Sequence, residues 1–236
     1  EALRHRPGDA IALSGIGHCL RLQQREPEAV RALLAAADVL RTTVGPGGGD
    51  ALLDIAFELQ EALAPEPSLT LLDVVLTHNP SHARAWHLRA RACQRMSRIE
   101  DGLAAAMRAT ELAPAAGNAQ LLRAELEQAA GHLEAAHARL SPIAATPSHP
   151  QRVRALRLLG SLHDAAGRYP EAFACMRDAG ALLRASAEAR ALNGQRVMQE
   201  LARARTLCDA AFFDAHRDDG APTTAESPVF LLGYLR

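Results

Sequence analysis

Four side chains that could bind an anion lie at helical spacing near the middle of the chain. They are Arg84, His87, Arg91 and Arg95, separated by three, four and four residues. Residues three and four apart are neighbours on a helix surface, so the four side chains would form one stripe. Because like charges repel, the stripe predicts a partner of opposite charge, such as an acidic peptide segment or the acidic surface of a following domain. The alternative is a solvated arginine face without a ligand, since exposed charges often contribute little energy.

The histidines and cysteines do not predict a metal site or a nucleophile. His78 and His82 lie on either side of Pro80, and His132 and His137 are five residues apart, on different faces of a helix. No carboxylate or thiol stands at ligand spacing beside them, so packed or exposed histidines are the preferred interpretation. The cysteines are Cys19, Cys93, Cys175 and Cys208. No two have Cys-x-x-Cys spacing, which favours packing residues in a reducing compartment.

Helices must position these side chains, and the helical pattern is clearest between residues 159 and 179. Gly160 and Ala172 are small, as two closely crossing helices require, and Gly167 would allow the turn between the helices. The larger side chains around the crossing are Leu159, Tyr169 and Met176. The stretch therefore predicts a pair of antiparallel helices.

The same order of small and large residues recurs along the chain. Units with matching offsets start at Ala10, Gly49, Ala83, Gly117 and Val153. The step from Ala83 to Gly117 is 34 residues, and the next step is 36. This period and pattern resemble the tetratricopeptide repeat, a unit of two antiparallel helices. The resemblance implies an all-α, right-handed superhelix whose inner groove is lined by the first helix of each unit.

The resemblance also implies which residues face the groove. In the unit from Ala83 they include Arg84, His87, Arg91 and Arg95, and in the unit from Val153 they include Arg154 and Arg157. The groove is therefore expected to bind a protein or peptide, which can be acidic. The two-carboxylate clamp of chaperone-binding relatives is not expected, because it needs Asn and Lys at set positions. One of those positions holds Arg91, Glu125 or Ser161 in successive units.

The composition agrees with a helical repeat protein. Hydrophobic residues make up 48% of the 236 residues and aromatic residues only 3%, which suits helices packed through Ala and Leu better than a sheet. A net charge of −1 does not indicate a nucleic acid or an anionic membrane as partner. No apolar run is long enough for a membrane span and no signal peptide precedes the first unit, so a cytoplasmic protein is expected.

A different pattern begins after the last unit. Residues 186–215 favour a helix without the small-residue crossing, as expected of a helix that caps a solenoid. A polar linker leads to a short apolar run from Pro228 to Gly233, which predicts a strand with no partner strand in this chain. The expected domains are a repeat array at 1–186 (a truncated repeat and five units), a capping helix and linker at 187–219, and the start of a truncated α/β domain at 220–236.

The residues from Pro228 to Arg236 are similar to the junction between repeats and catalytic domain in bacterial tetratricopeptide-repeat sulfotransferases. In that family, the strand leads into a loop and a helix N-terminus that bind the phosphosulfate of 3′-phosphoadenosine 5′-phosphosulfate. Gly233 and Arg236 match the first half of the loop motif, while Leu235 replaces the usual Pro. The resemblance implies a sulfotransferase as the parent protein, with this chain alone inert. The alternative is a regulatory or assembly module before a different α/β domain, such as a P-loop nucleotide-binding domain.

Overall fold

The computed structural model describes residues 9–43, 49–185, 198, 199, 201–203 and 206, and every regular element in these residues is helical. The first helices of the five units are α1 (Ala10–Leu22), α3 (Gly49–Glu61), α5 (Ala83–Arg95), α7 (Gly117–Ala129) and α9 (Arg152–Ala165). The second helices are α2 (Glu26–Thr43), α4 (Pro65–His78), α6 (Ile99–Leu112), α8 (Leu133–Ala145) and α10 (Tyr169–Ala185). The predicted helix pairs are therefore present, in register with the repeat.

Local signals in the sequence set several helix ends. Asp9 accepts hydrogen bonds at its Oδ1 from the amides of Ile11 (2.9 Å) and Ala12 (3.2 Å). These are amides of the first turn of α1, which have no partner within the helix. Gly167, predicted to allow the turn between α9 and α10, has a φ of 70°, a backbone conformation that residues other than glycine rarely adopt.

The sequence pattern predicts Pro65 and Pro67 in the turn of the second unit and Pro142 in the exit from the fourth unit, but the structure places all three inside helices. Pro65 and Pro67, predicted in a turn, fall in the first turn of α4. Pro costs no helical hydrogen bond there, because the first amides of a helix are unpaired in any case. Pro142, predicted in the exit from the fourth unit, lies inside α8. That helix continues past it because Ile143 and Ala144, each 8% exposed, are buried against the neighbouring unit.

The predicted close crossing of the two helices in a unit is confirmed. A Cβ atom on Gly17 of α1 would lie 2.6 Å from Cγ of Leu33 in α2, and one on Gly160 of α9 would lie 2.9 Å from Cε of Met176 in α10. Both distances are shorter than real carbon contacts, so glycine is required unless the neighbour moves. Helix pairs can therefore pack at short distance.

Leucines and alanines fill the space within and between units. The fully buried large apolar side chains are Leu33, Leu53, Ile55, Leu59, Leu72, Leu121, Leu126 and Leu140. Each such burial contributes roughly 1.5–3 kcal/mol relative to exposure. The second helix of one unit packs on the first helix of the next, so the core runs as a series of clusters along the array.

The first helices of the units form the inner side of the array. Successive first helices pack against one another, from α1 to α9, whereas no two successive second helices are closely packed in the part that the structure describes. Elements that approach each other lie on the concave side of a curved stack, so the side chains of the first helices line a groove.

Several predictions concern residues outside the described part. They are most of the truncated repeat at 1–9, most of the capping helix and linker at 187–219, and the strand with Gly233 and Arg236. The chain divides into two compact units, residues 1–183 and 184–236. The groove belongs to the first. No helix in the described residues is long and apolar enough to cross a membrane.

Candidate functional site

The predicted arginine stripe of α5 is paired within the chain. Nη2 of Arg84 donates to Oδ1 of Asp54 at 2.7 Å, and Arg91 donates to a carboxylate oxygen of Glu61. Arg95 lies 3.7 Å from the same carboxylate and donates to the backbone carbonyl of Gln60. All three acceptors are on α3. The premise that the stripe repels itself without an external partner is therefore wrong, while binding of an acidic segment stays a prediction.

His87 lies between these arginines, in a site that disfavours the charged imidazole. Burial lowers the pKa of its imidazole, and the charges of Arg91 and Arg154 lower it further against a smaller opposite effect of Glu125. Its Nδ1 atom is buried and has no hydrogen-bond partner among the described residues. His87 therefore contributes less positive charge to the stripe than an arginine would.

A pocket of about 510 Å³ opens beside His87. Its walls are mostly small and apolar, and they come from α5, from the connection between α6 and α7, and from Phe57 of α3. The wall residues are Phe57, Ala83, Leu88, Ala109, Ala113 and Ala116, and the polar ones are Arg84, His87, Arg91 and Asn118. The guanidinium of Arg91 also stacks 5.1 Å from the Phe57 ring. We call this the alanine pocket; its size and apolar walls are typical of binding pockets.

A second hollow, of about 340 Å³, lies along α9 and next to Glu125 of α7. Glu125 accepts hydrogen bonds from Gln94 of α5 at 3.0 Å and from Arg154 of α9 at 2.9 Å. Arg157 also lines the hollow but is exposed and makes no ion pair or side-chain hydrogen bond with any described residue. We call this the arginine hollow. Glu125 joins it to α5, the helix that forms one wall of the alanine pocket.

The structure thus distributes the predicted groove residues over two places. Arg84, His87 and Arg91 surround the alanine pocket, and Arg154 and Arg157 line the arginine hollow. Arg95 contacts α3 instead. Gly233 and Arg236, predicted to contact the phosphosulfate group, lie outside the described residues.

Comparison with known proteins identifies the fold. No family model and no curated protein matches the chain. Solved structures do: MamA from Desulfovibrio magneticus is 17% identical, with a TM-score of 0.60 over 75% of this chain and 97% of that chain. A tetratricopeptide repeat protein from Parabacteroides merdae is 19% identical, with a TM-score of 0.61 over 75% of this chain and 68% of that chain.

A thermophilic tetratricopeptide repeat protein from Thermus thermophilus is 18% identical, with a TM-score of 0.55 over 72% of this chain and 89% of that chain. The chain has the tetratricopeptide repeat (TPR) fold. At these identities the likeness concerns the fold alone. The two hollows are therefore interpreted from the residues of this chain.

One TPR unit contains a buried ionic cluster that the sequence analysis missed. Glu127 of α7 is 3% exposed and accepts hydrogen bonds from Arg123 (2.9 Å) and Arg139 (2.8 and 3.0 Å). Burial raises the pKa of the Glu127 carboxyl, but the hydrogen bonds and charges of the two arginines outweigh burial and lower it. At the position of Glu127, the first two units have Leu20 and Leu59. That departure from the repeat pattern was the signal available in the sequence.

The acidic partners on α3 were also missed. Asp54 and Glu61 lie one repeat before the arginines that they pair with, and neither was among the predicted groove residues, which are arginines and one histidine. The sequence does show that the first helix α3 is rich in acidic residues and that the next first helix, α5, is rich in basic ones. In the described residues, no group of three or more His, Cys, Asp or Glu side chains could hold a metal ion.

Proposed function

We propose that the chain is a protein-interaction scaffold that binds an extended protein segment on the inner face of its first helices. The observation that carries this proposal is the pair of hollows, the alanine pocket and the arginine hollow, on neighbouring helices of that face. Concave surfaces of helical solenoids offer a long, continuous contact area of this kind. The apolar walls supply binding energy, and the arginines supply selectivity.

The ion pairs between first helices support the proposal by holding the groove in one shape. Pairs join α1 to α3 through Arg21 and Glu58 (2.9 Å), α3 to α5 through Arg84 and Asp54 (2.7 Å), and α7 to α9 through Arg154 (2.9 Å to Glu125). Each pair alone contributes little because it is partly exposed. Together they limit the relative motion of the helices, so the groove would lose less conformational freedom when a ligand binds.

The test compares two arginines that differ mainly in their helix. Arg154 on α9 faces the groove and pairs with Glu125, whereas Arg108 on α6 pairs with Glu111; their side chains are 54% and 48% exposed. Peptides would be selected from a random displayed library on the wild-type chain. Their affinities for Arg154→Glu and Arg108→Glu would then be measured by fluorescence anisotropy.

We expect the Arg154→Glu variant to lose most of the affinity and Arg108→Glu to keep it. Unchanged folding of both variants, checked by circular dichroism, is the control. Equal loss or no loss in both variants would contradict binding on the inner face. Selection of no peptide at all would contradict the scaffold function itself.

More specific features belong to the same proposal. The partner is a protein or peptide with acidic groups, or the acidic surface of a downstream domain, and the protein acts in the cytoplasm. The helix-favouring residues 186–215 cap the array, as terminal segments of solenoids do.

A second proposal rests only on the similarity of residues 228–236 to the sulfotransferase junction. In this proposal a catalytic domain that uses 3′-phosphoadenosine 5′-phosphosulfate follows the strand, and Gly233 and Arg236 begin its phosphosulfate loop. Reading the codons after Arg236 tests it. Ser-Gly-Thr-Thr in the next positions would support a sulfotransferase, Gly-Lys-Thr would support the P-loop alternative, and a stop codon would exclude both.

A further inference from the structure

We infer that the segment bound in the groove carries an apolar side chain that enters the alanine pocket and, at another position, a carboxylate that pairs with Arg157. The inference rests on the proposed function and adds the chemistry of the ligand. It places acid recognition on α9, whereas the sequence pattern had placed it on the stripe of α5.

The first support is the state of the arginines. Arg84 and Arg91 of α5 each have a carboxylate of α3 within hydrogen-bond distance, and Arg154 has Glu125. A ligand carboxylate would have to displace these internal partners, and the exchange of one ion pair for another brings little net energy. Arg157 has no such partner among the described residues. It is therefore the groove arginine at which a new carboxylate gains a full charge-assisted contact.

The second support is the composition of the alanine pocket. Four of its wall residues are alanines, and the short side chains of Ala83, Ala113 and Ala116 leave open a volume of about 510 Å³ next to Leu88 and Phe57. Apolar walls with a few polar groups at the edge suit an aromatic or large aliphatic side chain, which would remove most of this surface from water. A charged ligand group there would lose its hydration for little return.

The third support is the position of Glu125, which assigns the two ligand groups to different places along the groove. Glu125 lies between Gln94 of α5 and Arg154 of α9, bonded to both. Its negative charge repels a ligand carboxylate near α5 and α7, while Arg157, which has no partner among the described residues, attracts one at α9. The apolar group is thus expected toward α5 and the acidic group toward α9.

Defined peptides test the inference. Short fluorescein-labelled peptides in a Gly-Ser background would carry Phe and Asp residues, with Phe placed before Asp in one set and after Asp in another. In the altered peptides Asn replaces Asp, or Ser replaces Phe. Their affinities would be measured for the wild type, Arg157→Gln and Arg31→Gln. Arg31 is the matched control, because it is also exposed, lies on the second helix α2 and has no ion pair among the described residues.

We expect the Phe–Asp peptide to bind the wild type about tenfold or more tightly than either altered peptide. Arg157→Gln should weaken binding of the Phe–Asp peptide about two- to fivefold at low salt, as expected for an exposed ion pair, and leave the Phe–Asn peptide unchanged, while Arg31→Gln changes neither. Asn118→Trp, at the edge of the alanine pocket, should weaken both peptides that contain Phe; Ala104→Trp, exposed on α6, should not.

Equal binding of the Phe–Asp peptide by Arg157→Gln and Arg31→Gln would overturn the inference. So would equal affinity of the wild type for all of the peptides. The proposed function has a separate readout. If library peptides bind the wild type and Arg154→Glu prevents their binding, but the wild type does not prefer the Phe–Asp peptide, then only the inferred chemistry of the ligand is wrong. If no library peptide binds the groove, the function fails as well.

Discussion

The buried carboxylate of Glu127 offers the sharpest test of what holds one unit together. Replacing Glu127 by Gln keeps the shape of the side chain but removes the negative charge between Arg123 and Arg139. The carboxylate side chain is 4% exposed and the two arginine side chains are each 20% exposed. Two positive charges would then remain close together in a poorly hydrated site.

The magnitude follows from burial. Removing one partner of a buried ion pair costs about 3–5 kcal/mol. Since the arginines keep some contact with water and Gln can still accept a hydrogen bond, we expect a loss of about 2–3 kcal/mol in the free energy of unfolding. The matched control is Glu111→Gln, which breaks an exposed pair with Arg108 and should cost about 0–1 kcal/mol.

Urea unfolding followed by circular dichroism measures both changes. The reasoning would be refuted if Glu127→Gln and Glu111→Gln lowered the free energy of unfolding equally. A second variant separates the effect of charge from that of packing. The triple substitution Arg123→Leu, Glu127→Leu and Arg139→Leu, which replaces the ionic cluster by apolar side chains, should leave the free energy of unfolding about unchanged or raise it.

The pH dependence of stability gives a further check on Glu127. Its pKa is lowered in the folded state, so the unfolded chain binds the proton first as the pH falls. This contribution to stability is therefore present above the unfolded pKa and is lost on acidification through the folded pKa. The wild type should lose more stability than Glu127→Gln over that range.

Other features give predictions of the same kind. Gly160→Leu should cost about 1–3 kcal/mol by overpacking the helix crossing, whereas Gly15→Leu, where an added Cβ atom meets no atom within 4 Å, should not destabilise in urea unfolding. The lowered pKa of His87 means that below about pH 6.5 this imidazole binds a proton in the unfolded chain before it does so in the folded chain, so the free energy of unfolding should fall as the pH falls. In unfolding experiments at several pH values, His87→Gln should reduce this dependence on pH. An unchanged dependence would contradict the lowered pKa of His87. A thiol-reactive dye should label exposed Cys19 in the native chain and Cys93 only after unfolding, because Cys93 is 0% exposed and burial raises its pKa; rapid native labelling of Cys93 would contradict its burial.

The repeat architecture was predictable from the sequence because steric contact leaves few choices of residue. Where two helices cross closely, as at Gly17 and Gly160, a larger residue would collide with the opposite helix, so small residues recur at a fixed period. The helix ends near Pro65 and Pro142 were not predicted. Proline is compatible with a first turn, and burial of neighbouring side chains can extend a helix past it, so its presence does not decide a boundary.

The pairing in the groove was beyond the sequence for a different reason. The period places Arg84 and Arg91 on the inner face, but whether Asp54 and Glu61 reach them depends on the offset between α3 and α5. Core packing sets that offset, and the sequence does not give it directly. The lack of a partner at Arg157 was likewise visible only in the structure.

Hydrogen–deuterium exchange with a library-selected peptide tests the central claim, binding on the inner face, most directly. The amides of α5, α7 and α9 should exchange more slowly in the complex, while those of the second helices α6 and α8 should change little. Protection confined to the second helices, or spread equally over both sets, would contradict a binding groove formed by the first helices.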